Sequence, residues 1–225
     1  MVGAIALSGW SCRDQTLSGS GSGVPTAVTT SAEDTHSAVE KIKFKQGNGD
    51  EKFSLKFEPD GAKLVDGADQ ELARLTLDAS IHRNAGGSRQ GAGKVKIKDI
   101  NHQVLGYVVI HDGYWKLENA AQTEELYILR LQADGDLKLE DGTDKLVYRV
   151  KRRDYGYEIE SPKKTSLYKV KVKGDKTSLR NANDETVLST KSPILSTAMA
   201  CFGFDVLSPA QQAALAYAVN LSEDL

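Results

Sequence analysis

Phe57-Glu-Pro-Asp-Gly-Ala-Lys-Leu-Val-Asp-Gly-Ala-Asp-Gln-Glu-Leu72 recurs in outline as Leu131-Gln-Ala-Asp-Gly-Asp-Leu-Lys-Leu-Glu-Asp-Gly-Thr-Asp-Lys-Leu146, about 74 residues further along the chain. A second match aligns residues 95–105 with residues 177–188 when one gap is allowed. Repeated units of this size share one core, because neither half alone buries enough apolar surface. The sequence therefore predicts a mainly β fold built as a duplicated antiparallel meander.

Three segments alternate strictly between a cationic and an apolar side chain: Lys41-Ile-Lys-Phe-Lys45, Lys94-Val-Lys-Ile-Lys98 and, after Tyr168, Lys169-Val-Lys-Val-Lys173. A period of two is typical of a strand that is buried on one face. Asp-Gly pairs recur between such segments and predict hairpins with type I′ turns. We expect about ten to twelve short strands in a closed or nearly closed barrel.

The periodicity changes after Pro193, where residues 194–202 and 209–221 are alanine-rich and almost uncharged. Ser208 and Gln211 have the spacing of a capping box, with a proline at the first helical position. A helix that is apolar on nearly every side requires burial all round. We therefore predict that the last helix lies inside the barrel. Its inward residues are expected to include Ala213, Leu215, Ala216, Tyr217 and Val219.

A two-part meander followed by a hydrophobic C-terminal helix resembles the tubby-like superfamily, which includes the LURP-one-related proteins and the phospholipid scramblases. The resemblance covers about residues 38–221. It rests on the repeated Leu-x-x-Asp-Gly units and on residues 155–160, 179–188 and 204–219. It implies a barrel closed around one central helix. Two predicted helices depart from that pattern, so one of them could pack outside the barrel.

The first twelve residues combine a short uncharged apolar run, Val2-Gly-Ala-Ile-Ala-Leu-Ser-Gly-Trp10, with Cys12. The run is too short to span a bilayer but has the length of a signal-peptide core. Residues 13–37 are rich in Ser, Gly and Thr, which is typical of a flexible linker before a domain at residues 38–225. This order resembles a bacterial lipoprotein, which implies a lipid anchor on Cys12.

Two features depart from the lipoprotein pattern. Trp10 is bulky for the peptidase subsite that precedes the cysteine, and no lysine or arginine precedes the apolar run. A secretory signal and a disordered cytosolic tail therefore remain alternatives for this segment.

The formal net charge of −2 argues against a strongly basic nucleic-acid binder, but the charge is uneven along the chain. Residues 151–180 hold ten lysines and arginines against four aspartates and glutamates. Such a patch on the outer face of a sheet could hold phosphate-bearing lipid headgroups. The alternative is that these cations keep exposed strands soluble. The candidate anion-binding residues are Lys151, Arg152, Arg153, Lys163, Lys164, Lys169, Lys171, Lys173 and Arg180.

Known catalytic and metal motifs do not fit this chain. The glycine-rich segment 80–94 fails as a P-loop, because Ser88 replaces its first glycine and Val95 replaces the magnesium-binding hydroxyl residue. The aspartates of residues 134–144 and the four histidines lack the spacing of metal ligands. Cys201 is predicted to be a small buried core residue. We expect no catalytic residues, no cofactor and no metal.

Two functions remain as hypotheses. The first is a non-enzymatic protein of the cell envelope, membrane-anchored through Cys12, that presents its barrel to a partner protein or a lipid surface. The second is a cytoplasmic module that binds anionic lipids or phosphoinositides through residues 151–180. Nucleic acid is not an expected partner in either case, because aromatic residues that could stack on bases are sparse in the basic segment.

Overall fold

The computed structural model describes residues 40–78 and 93–222 of the chain. The barrel belongs to the compact unit Ala38–Leu225. The signal-like segment 1–12, the linker 13–37 and most of the glycine-rich segment 80–94 lie outside the described residues. The predictions made for them, including the anchor on Cys12, therefore remain predictions.

Fourteen antiparallel strands in the described ranges form one closed barrel, in which each strand pairs with its neighbours in the chain. The mainly β barrel is confirmed, although fourteen strands exceed the ten to twelve predicted. Tight turns explain the excess, since only two residues separate some successive strands and hydrophobic periodicity runs across them. The strands are β1 (Lys41–Lys45), β2 (Glu51–Glu58), β3 (Gly61–Asp66), β4 (Glu71–Asp78), β5 (Lys94–Lys98), β6 (Val104–His111), β7 (Tyr114–Glu118), β8 (Glu125–Leu131), β9 (Leu137–Asp141), β10 (Leu146–Arg153), β11 (Gly156–Glu160), β12 (Ser166–Lys173), β13 (Lys176–Asn181) and β14 (Thr186–Thr190).

Many of the hairpins share one turn, in which an Asp or Asn side chain holds a three-residue loop. Asp66 Oδ1 accepts the backbone N–H groups of Ala68 and Gln70, each at 2.9 Å. Asp69 then takes a left-handed φ of 67°. Asp99, Asp141 and Asn181 begin turns of the same design. The Asp-Gly pairs thus marked hairpins correctly, but at Asp66-Gly67 and Asp141-Gly142 the turn is a three-residue loop closed by a left-handed residue instead of a type I′ turn.

The internal sequence matches correspond to this repeated hairpin. The first match relates β2–β3 to β8–β9, a shift of six strands, whereas the second relates β5–β6 to β13–β14, a shift of eight. In the second match, His102 and Asp184 occupy the same turn position, with φ values of 63° in both. The two shifts differ, so what recurs is the hairpin with its turn, and no single two-fold repeat accounts for both matches.

Gly142 is needed for close backbone approach, because a Cβ atom there would lie 1.9 Å from the carbonyl oxygen of Glu125. Gly142→Ala is therefore expected to lower the free energy of unfolding by about 1–3 kcal/mol, since β8 must move to admit a methyl group. Thermal melting checks this, with Gly93→Ala as the control. The nearest atom there is the end of the Ile110 side chain at 3.3 Å. Equal melting temperatures for the two variants would contradict the argument.

Two helices fill the barrel. Helix α1 (Ser196–Ala200) continues into a 3₁₀ turn (Cys201–Gly203), and helix α2 (Pro209–Ser222) follows. Helix α1 packs against β11–β13 and helix α2 against β4–β7, and both belong to the single hydrophobic core. The structure thus places both helices in the core, so neither packs outside the barrel as the family pattern had allowed.

The predicted start of α2 is confirmed. The Ser208 N–H donates to Gln211 Oε1 at 2.9 Å, and the Gln211 N–H donates to Ser208 Oγ at 3.4 Å. Every residue from Ala213 to Val219 is buried, including the five predicted to face inward. No helix among the described residues has the length and apolarity needed to cross a bilayer.

Cys201 lies in this core and is fully buried, as predicted. Its Sγ donates to the carbonyl oxygen of Thr197 at 3.7 Å. Burial raises the pKa of the thiol far above its ordinary value, so the group stays protonated and unreactive.

Candidate functional site

Side chains from both helices and from the inward faces of the strands occupy the inside of the barrel. The charged residues that the sequence singled out therefore lie on its outside or at its ends. In the described part of the chain, no three His, Cys, Asp or Glu side chains are placed to hold a metal ion.

Six of the nine predicted residues share the outer face of β10–β13. Cross-strand pairing places Lys151, Glu158, Lys169 and Arg180 in one row, in which each residue lies opposite the next. The next row runs through Arg153, Gly156 and Lys171. We call the shared surface the basic face. Its cations are Lys151, Arg153, Lys169, Lys171, Lys173 and Arg180.

The other three predicted residues lie elsewhere. Arg152 alternates with its neighbours and pairs with Tyr157, which lies opposite the buried Val170, so Arg152 projects at the mouth of the barrel. Lys163 and Lys164 are exposed in the turn between β11 and β12, at the end opposite Lys173. Alternation along β10 could have separated Arg152 from the face before the structure was known.

Carboxylates neutralise much of the basic face. Arg153 contacts Glu158 at 2.9 Å and Glu160 at 3.2 Å. Asp184 contacts Lys171 at 2.7 Å and Arg180 at 3.2 Å. Lys151 pairs with Asp136. Within the described ranges, only two cations of the face have no carboxylate within 4.0 Å. They are Lys169 and Lys173.

Asp136 is the most buried carboxylate of these pairs, with 7% of its surface exposed. Burial by itself raises the pKa of its carboxyl group. Bonds from the Lys151 ammonium and from the backbone N–H of Arg152, at 2.8 Å, outweigh burial and hold the pKa below its ordinary value. Because the pKa is lower in the folded state, the ionised carboxylate of Asp136 stabilises the fold at pH values at which it is deprotonated.

That shift predicts a pH dependence of stability. The contribution of Asp136 is complete above its unfolded pKa, about 3.9, and is lost as the pH falls through the lower folded value. We expect Asp136→Asn to reduce the free energy of unfolding more at pH 7 than at pH 3. Urea denaturation at both pH values measures this, with Asp154→Asn as an exposed control. A loss that is the same at both pH values would contradict the assignment.

A second candidate site, which the sequence reasoning missed, lies on the outside where β1 meets β14. The barrel closes there through a single residue pair, Lys45 with Ser189, whereas the other strand pairs have four or more. A pocket of about 420 Å³ occupies this opening, and we call it the seam pocket. Its lining comprises Lys43, Lys45, Gln46, Gly47, Gly49, Lys176, Thr186, Ser189, Thr190, Lys191 and Ser192.

None of the nine predicted residues lines the seam pocket. The alternation of β1 places Lys43 and Lys45 on the outside, and Lys191 directly follows β14. The sequence contains no local signal for this pocket, because its lining residues lie on or near the first and last strands, which are more than a hundred positions apart in the chain.

Comparison with known proteins gives a weak structural likeness. No family model matches the chain, and no curated protein matches it. Among solved structures, the X-ray structure of a protein from Arabidopsis thaliana is similar with 12% sequence identity and a TM-score of 0.36. The match covers 72% of this chain and 86% of that chain.

Proposed function

We propose that this chain is a non-enzymatic binding protein of the cell envelope, with a barrel of the tubby-like type that is membrane-anchored through Cys12. The barrel presents its outside to an anionic lipid surface. The observation that supports this most is the filling of the interior by α1 and α2. Core side chains occupy the inside of the described barrel, whereas unpaired cations are available outside.

Unpaired cations decide which part of the surface attracts an anionic membrane. Each cation near such a surface contributes about 1 kcal/mol, and a cation already paired with a carboxylate contributes less. Lys163, Lys164 and Lys169 have no ion pair within the described part of the chain. They lie on β12 and the turn before it, so one membrane contact can include all three.

Charge reversal tests the contact. We expect Lys163→Glu, Lys164→Glu and Lys169→Glu together to weaken binding to vesicles containing phosphatidylglycerol by more than tenfold, in a sedimentation assay at low salt. Binding by the parent should also weaken as salt is added, because screening acts over about 10 Å at 0.1 M.

The matched control reverses Lys52, Lys96 and Lys98, which changes the net charge equally on other strands. If both triple variants lost binding equally, net charge alone would explain the attraction. If neither did, the membrane contact would be disproved.

The anchor requires a separate experiment. Mass spectrometry of the mature N-terminus should find a lipid-modified cysteine at position 12, and the protein should sediment with membranes. An unmodified Met1, or purification from a soluble cytosolic fraction, would contradict the anchor and leave the cytoplasmic alternative.

A further inference from the structure

We propose that the seam pocket binds a phosphate monoester group, carried by a lipid headgroup or by a soluble compound. Lys176 lies at the border of the pocket, opposite Lys173 at the end of the basic face. The pocket is separate from the proposed membrane contact, because Lys163, Lys164 and Lys169 do not line it. Either site can therefore fail its test while the other passes.

Four lysines surround the seam pocket, and its lining contains no aspartate or glutamate. Lys43 contacts Glu51 at 3.3 Å, and Lys191 contacts Asp175 at 3.3 Å in a pair that is largely exposed. Lys45 and Lys176 have no carboxylate within 4.0 Å among the described residues. Two ammonium groups are thus free, and two more are close enough to contribute.

Hydroxyl groups on the β14 side complete a donor set for oxyanion oxygens. Ser189 and Thr190 are buried, with 7% and 3% of their surfaces exposed, and Thr186 and Ser192 also line the pocket. Thr190 Oγ1 accepts the backbone N–H of Ser192 at 3.0 Å, which leaves its own proton available to a ligand. Ammonium and hydroxyl donors together suit a phosphate oxygen.

Close packing fixes the wall of the pocket formed by the β1–β2 turn. A Cβ atom on Gly47 would lie 2.5 Å from the carbonyl oxygen of Thr186, so the turn lies directly against β14. The volume of about 420 Å³ is within the range of small-molecule sites, about 300–1,000 Å³. A phosphate monoester carries between −1.5 and −2 charges at pH 7, roughly matching the two free ammonium groups.

Titration of the full chain with glycerol 3-phosphate, and separately with inorganic phosphate, tests the proposal. We expect saturable NMR shifts of the backbone amides of Gly47, Gly49 and Thr190. Lys45→Gln with Lys176→Gln should weaken binding at least tenfold without changing the melting temperature. The control, Lys96→Gln with Lys98→Gln, removes the same charge on β5, away from the pocket, and should bind as the parent does. Shifts that do not saturate, or equal weakening in both double variants, would overturn the proposal.

Vesicles distinguish the two sources of the group. Phosphatidic acid presents a phosphate monoester and phosphatidylglycerol a diester, and the monoester carries more negative charge. The two kinds of vesicle are therefore prepared with lipid contents that give the same surface potential. A lipid headgroup is supported as the ligand if the parent binds phosphatidic acid vesicles more tightly than phosphatidylglycerol vesicles. The Lys45→Gln, Lys176→Gln variant should lose this preference. Binding of glycerol 3-phosphate alone supports a soluble ligand, and binding of neither would disprove the site.

Discussion

Replacing Ala216 with aspartate is expected to remove most of the free energy of unfolding of the barrel and to lower its melting temperature sharply. Ala216 is 1% exposed at the centre of α2, between strands β4–β7 and helix α1. Gln212 and Asn220, one turn away on α2, already hydrogen-bond to the backbone of Phe204 and Leu195. Helix α2 has no lysine or arginine, so the new carboxylate would have no cationic partner on it. An uncompensated buried charge costs about 3–5 kcal/mol or more, whereas ordinary domains are stable by about 5–15 kcal/mol.

The same substitution at Ala210 is the matched control. Ala210 is half-buried in the first turn of α2, where a carboxylate interacts favourably with the helix N-terminus. Circular dichroism during heating should show a large loss for Ala216→Asp and a small change for Ala210→Asp. Melting of Ala216→Asp at the parent temperature would mean that α2 does not lie in the core.

Phe44→Ala should have the second largest effect, a loss of about 3–5 kcal/mol in the free energy of unfolding. Phe44 is fully buried, and its ring centroid lies 4.9 Å from that of Phe53 and 4.8 Å from that of Phe202. The ring thereby connects β1 with β2 and with the 3₁₀ turn. Because only one residue pair joins β1 to β14, this packing holds the first strand in place.

Urea denaturation of Phe44→Ala measures the loss, with Phe57→Ala for comparison. Phe57 is only half-buried and makes a looser ring contact, with 6.0 Å between its centroid and that of Tyr217. A loss at Phe44 no greater than that at Phe57 would show that the phenylalanine cluster does not anchor β1.

Local sequence signals predicted the fold well. The alternation in β1 and β5, the Asp-Gly pairs and the capping box of α2 each depend on residues within a few positions of one another. The number of strands was harder to predict from the sequence, because two-residue turns do not interrupt the hydrophobic pattern.

The candidate site was harder to predict, because its charges depend on pairing between strands. The sequence shows Asp184 four residues after Arg180, but it does not show that Asp184 also reaches Lys171. Carboxylates therefore pair with four of the six cations of the basic face, a surface that composition alone made strongly cationic. The seam pocket depends even more on tertiary structure, because it exists only where the two ends of the sheet meet.

The single residue pair between β1 and β14 also bears on the order in which the molecule folds. The other described strand pairs join neighbours in the chain, so each can form as a local hairpin, whereas Lys45 and Ser189 are far apart in sequence. Closing so long a loop costs more conformational entropy than closing a hairpin. The hairpins of the sheet should therefore form first, and the pairing of β1 with β14 that closes the barrel should form last. The backbone amides of β1 and β14 that face this closure should exchange with solvent fastest of all the strand amides, and would mark where the barrel first reopens.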